Sequence, residues 1–113
     1  MRSGWTSIFF AAAAALVLAC TSPTLPLPPP AAPTETAGTD PNTIVLDGAG
    51  AIPDALMVVE NPNPQFTGQT VVEGTIVGSD GTWKVTIQAI KGDHLKILQY
   101  VGSESSSIDF TVY

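Results

Sequence analysis

Few residues in this chain could do chemistry. Cys20 is the only thiol, and with no second cysteine an intrachain disulfide cannot form. A cysteine sulfur is a strong nucleophile, so any reaction at Cys20 is with an outside group. His94, the sole histidine, stands next to Asp93, a pairing that could be half of an acid–base device. Without a third group to orient it, it reads instead as a solvent-facing residue beside a turn aspartate. The serines between Ser103 and Ser107 have no neighbouring base to activate them and read as a flexible loop. The ten Asp and Glu are scattered, whereas metal sites need several converging ligands. Ser79-Asp80-Gly81 lacks the repeated acids of a calcium loop. No catalytic, metal-binding or cofactor-binding residue is assigned, and the chain is not expected to be an enzyme.

Cys20 owes its interest to what precedes it. Arg2 and the amino terminus are positive, and Ile8 to Leu18 is an unbroken apolar run of eleven residues. Crossing a bilayer takes about 20. The run fits the apolar region of a secretory signal peptide, here residues 1–19, closed by a small residue. Val17-Leu18-Ala19-Cys20 resembles the lipobox of bacterial lipoproteins. The resemblance implies diacylglycerol transfer to the Cys20 sulfur, cleavage before Cys20 and acylation of the new amino group. Two or more acyl chains anchor stably where one is marginal. It therefore implies an extracytoplasmic protein of the bacterial cell envelope, attached to a membrane through lipid on Cys20. Thr21 follows, where an inner-membrane retention signal more often has Asp, so in a two-membrane cell the outer membrane is expected.

The chain carries a net charge of −6 and has no arginine after Arg2. Such a surface repels phosphate backbones, which excludes nucleic acid as a partner. Residues 20–42 read as the lipidated cysteine followed by a proline-rich linker. Seven of the ten prolines fall between Thr21 and Pro41, and only Leu25 and Leu27 there are large and apolar. A stretch of this composition is expected to stay unfolded and to extend as a spacer.

Residues 43–113 change grammar. Short runs of β-type residues alternate with turn signals, among them Asp47-Gly48, Asn61-Pro62-Asn63-Pro64, Asp80-Gly81 and Lys91-Gly92-Asp93. Asp-Gly accepts the positive φ of tight hairpins. Trp83, Val85 and Ile87 alternate with polar neighbours in the period of a half-buried strand. The core is expected to hold Met57, Val59, Val72, Ile76, Trp83, Val85, Ile87, Leu95, Ile97, Ile108, Phe110 and Val112. Trp83 is placed at its centre. Six or seven short strands without a helical period predict a small all-β, antiparallel, immunoglobulin-like sandwich.

Residues Ala51 to Ile97 resemble the immunoglobulin-like modules of bacterial surface proteins. The resemblance is carried by Ile52-Pro53-Asp54-Ala55 before Met57 and Val59, by Asn61, by Asp80-Gly81-Thr82-Trp83, and by Gly92-Asp93 before Leu95 and Ile97. It implies a structural or protein-binding role (spacer, adhesive or docking module) with an envelope protein as partner. The alternative is a carbohydrate-binding module, with Tyr100 and Tyr113 lining a face for a glycan.

Overall fold

Period-2 alternation lets each strand bury one face, and the fold follows from where those faces meet. The computed structural model describes residues 26–113, in which every regular element is a strand. These are Thr34–Ala37 (β1), Thr43–Gly48 (β2), Leu56–Asn61 (β3), Val71–Ile76 (β4), Trp83–Gln88 (β5), His94–Val101 (β6) and Glu104–Thr111 (β7). They form two antiparallel sheets, β1-β2-β5 and β4-β3-β6-β7. The architecture is the small antiparallel sandwich that the strand and turn spacing predicts. Residues 1–19, the Val17-Leu18-Ala19 motif and Cys20 lie outside the described residues.

The sheets close on Leu46, Met57, Val59 and Ile97, which are inaccessible to solvent. Ile44, Trp83, Val85, Ile87, Leu95 and Val112 are buried with them, and Ile108 and Phe110 pack against this cluster half-buried. Trp83 sits toward one end of the sandwich rather than at its middle, because it opens β5 opposite Gly48. A Cβ at Gly48 would overlap the indole, so the glycine makes the room the ring occupies. The indole Nε1 is buried without an acceptor among the described residues, leaving apolar packing to hold the ring.

Two turns set this end. Pro53 and Asp54 (φ 65°) reverse the chain, with the Ala55 N–H donating to the Ile52 carbonyl. Proline followed by a positive φ is the pattern of a type II turn. The β4–β5 connection crosses from one sheet to the other rather than forming the hairpin that Asp80-Gly81 predicts. In it Asp80 Oδ1 accepts from the Thr82 hydroxyl and N–H, at 2.7 and 3.1 Å. These bonds hold the Asp80 carboxyl below its ordinary range, the hydroxyl contributing most. Gly81 has φ 80° and its carbonyl accepts from Ala51 N–H.

Three further expectations are corrected. Val72 and Ile76, placed in the core, are 53% and 61% exposed. β4 is an edge strand, and its register against β3 sets Thr75 beside Met57 and Ile76 beside Leu56. That turns Val71 and Val77 toward the core and the more apolar set outward, the consequence of a one-residue difference in facing. Next, the stretch 20–42 is not an unfolded spacer throughout. Thr34–Ala37 pairs with β2, Pro30 and Pro33 are buried, and the Pro28 carbonyl accepts from Ser106 Oγ (2.8 Å) and Gln99 Nε2 (3.2 Å). The β2 edge supplies the hydrogen-bond partners that the segment lacks on its own. Finally, Ser105, Ser106 and Ser107 belong to β7. The loop shrinks to Gly102-Ser103, with Gly102 at φ 60° and Val101 paired with Glu104. That is a two-residue hairpin of the glycine-first kind.

Two measurements check this account. Trp83→Ala should lose about 3–5 kcal/mol, enough to leave a small domain largely unfolded. Lys84→Ala removes only an exposed pair with Asp47 at 3.6 Å and should shift a urea melt by less than about 1 kcal/mol. Deleting Pro26 to Pro33 should lower the melting temperature, since it removes the Pro28 hydrogen bonds and two buried prolines. An unchanged melt would mean that the segment contributes nothing to the fold.

Candidate functional site

The most elaborated polar site lies where β5 passes to β6. After Ala89, Lys91-Gly92 turns the chain with Gly92 at φ 92°, and Asp93 N–H donates to the Ile90 carbonyl. The turn drives the Asp93 side chain inward, where the residue is 2% exposed. Its Oδ2 accepts from Ile90 N and Asn61 Nδ2, each at 3.0 Å. Its Oδ1 accepts from Gln65 N at 3.1 Å and Gln65 Nε2 at 3.0 Å. Burial pushes this carboxyl up, but the bonds from Ile90, Asn61 and Gln65 outweigh it and hold it below the ordinary carboxylate range.

A carboxylate has about four acceptor positions, and four donors occupy them here. Asp93 is thus a saturated anion, with nothing left to take a substrate proton or bind a cation. Asn61, itself buried, also donates to the Gln88 carbonyl at 3.2 Å. One amide thereby joins β3 in one sheet to β5 in the other. Sequence reading missed both roles, treating Asn61 and Asp93 as turn residues.

The other candidates stand apart. His94 is exposed, with Nδ1 3.2 Å from Thr111 Oγ1, while Asp93, in the turn just before β6, points to the interior. The two do not meet. Among the described residues no three His, Cys, Asp or Glu side chains converge. An open groove beside His94 is lined by Pro62, Asn63, Gln65, Gly92 and Asp93, and its one buried acid is the saturated Asp93. Tyr100 pairs with Ser105 at one end of the four-stranded sheet. Tyr113 follows β7 at the other end, 88% exposed and edge-on to Phe110 at 6.4 Å. The tyrosines stand at opposite ends of β7.

The outer surface of the four-stranded sheet is graded. The cross-strand row Ile76–Leu56–Tyr100 is apolar and ends in Ser105 on β7, and the next row is Gly74–Val58–Leu98, ending in Ser107. Charge begins only in the third row, where Val72 and Glu60 align with Lys96 and Asp109. Leu56 and Ile76 are 41% and 61% exposed, and Val58, Leu98 and Tyr100 are half-buried. Gly74 leaves a gap in which a Cβ would only just touch Leu56 and Val58.

Comparison with protein-family models, with curated proteins and with solved structures finds no match to this chain.

The Asp93 clamp makes a pH prediction. Its folded pKa lies below the unfolded value of about 3.9, so its stabilisation is complete above the ordinary carboxylate range. It is lost as pH falls through the lowered folded value. Asp93→Asn puts an amide N–H₂ against existing donors and should cost about 2–4 kcal/mol at neutral pH. In urea melts, the gap between parent and variant should narrow on acidification below about pH 4. A constant gap would mean that the charge plays no part.

Proposed function

We propose that this protein is a lipid-anchored component of the bacterial cell envelope whose sandwich serves a structural or docking role outside the cytoplasmic membrane. The observation that carries the proposal is Val17-Leu18-Ala19-Cys20 at the end of the apolar run. Acylation there would use the one thiol in the chain, and Thr21 favours the outer membrane in a two-membrane cell. The character of the sandwich supports docking over catalysis, since its buried carboxylate is saturated by backbone and amide donors. The exposed sheet face offers apolar area instead. A glycan-binding role has less support, because Tyr100 and Tyr113 stand at opposite ends of the sheet.

The test is Cys20→Ser. The parent should carry a diacylglycerol thioether and an acylated amino terminus by mass spectrometry, and should float with membranes. The variant should lack both and accumulate as a precursor. Equal mature mass and equal membrane retention in the two would sink the lipoprotein reading.

A further inference from the structure

From the graded face of the four-stranded sheet we infer that its apolar end is a membrane-contacting surface, resting on the phospholipid interface in which the Cys20 anchor is held. The inference rests on the lipoprotein reading above and adds an orientation to it. Its first support is where the chain comes in. The Pro28 carbonyl is bound by Gln99 and Ser106, partners of one another across β6 and β7 and one residue from the Tyr100–Ser105 pair. β1 also starts at this end, since Thr34 pairs with Asp47 and the adjoining Gly48 faces Trp83. The segment leading back to Cys20 thus departs at the same end as the row formed by Ile76, Leu56 and Tyr100. It leaves from the inner side of the sheet near its β7 edge, since Gln99 and Ser106 point to the face opposite Tyr100.

Its second support is reach. Eight residues separate Cys20 from Pro28, about 25 Å even in an extended polyproline conformation. Strands are spaced about 4.8 Å apart, so β4 lies about 15 Å across the sheet from β7. An anchor at Cys20 therefore cannot hold this end far from the bilayer, and it can readily bring the apolar rows down onto it.

The third support is the chemistry of the face. The two rows nearest this end hold Leu56, Val58, Ile76, Leu98 and Tyr100 around Gly74, end in the exposed Ser105 and Ser107 on β7, and contain no charge; charges start in the third row. An aromatic with a polar tip beside aliphatic side chains suits the boundary between headgroups and acyl chains. Asp54, Asp80 and Glu104 are exposed at the same end, so a zwitterionic lipid surface fits better than an anionic one.

The experiment uses the full acylated protein in phosphatidylcholine vesicles. Because the anchor occupies the Cys20 sulfur, an environment-sensitive fluorophore can be placed at Ile76→Cys or, as a control, at Thr86→Cys. Thr86 is exposed on β5 of the other sheet. The label at 76 should shift to the blue and lose most of its emission to nitroxide-bearing lipids, while the label at 86 does neither. A protein that floats with the vesicles but leaves position 76 as wet as 86 overturns the inference and spares the lipoprotein reading. A blue shift that nitroxide lipids leave untouched, and that grows with protein concentration, assigns the face to a second copy and overturns it too. Absence of the acyl mass sinks both.

Discussion

The rest of the sandwich depends on how one carboxylate is buried. Asp93 sits where the chain crosses from one sheet to the other, and four donors surround it. Two come from Gln65 in the β3–β4 connection, one from Asn61 on β3 and one from the Ile90 backbone. A buried charge is costly unless paired or well bonded, and here the bonds more than offset burial. Withdrawing the carboxylate would leave several donors unsatisfied, and each unsatisfied buried group costs about 1–3 kcal/mol. The same residue's backbone continues the tie, since Val112 N–H donates to its carbonyl and Gly92 N–H to that of Val112.

The opposite end is held by a second buried polar side chain. Gln99 is 1% exposed; its Oε1 accepts from Ile52 N–H at 2.9 Å, and its Nε2 donates to the Pro28 carbonyl. It thus fastens both the β2–β3 connection and the segment that precedes β1. Small secreted domains commonly rely on disulfides for this purpose, and the one cysteine here cannot provide one. Asn61, Asp93 and Gln99 are the buried polar residues of the described chain, and each joins elements far apart in sequence.

Legibility in the sequence followed the range of the interactions. β5 was plain because its alternation is local, with Trp83, Val85 and Ile87 inward and Lys84 and Thr86 outward. β4 misled because Val71-Val72-Glu73-Gly74-Thr75-Ile76 has no decisive face. Its pairing with β3 chose the inward side, and that pairing is not written within the segment. Thr34–Ala37 hid among prolines because its partners belong to β2. Asp93 looked like a turn residue, and it is one; its burial comes from Asn61 and Gln65, 32 and 28 positions away. The Cys20 motif was readable in the sequence, but it lies outside the described residues.

The graded outer face follows a different logic from the core. Because strand side chains alternate, Met57, Val59 and Ile97 complete the interior whatever stands at Leu56, Val58 and Leu98 on the other surface. Cross-strand apolar neighbours there add some sheet cohesion, on the order of 0.2–1 kcal/mol a pair. Gly74 works against cohesion, since a glycine within a strand has no side chain to pack and weakens it. A sheet shaped only for stability would fill that gap. Apolar side chains left 41% and 61% exposed around an unfilled glycine are better suited to meeting another apolar phase than to strengthening the sheet that carries them.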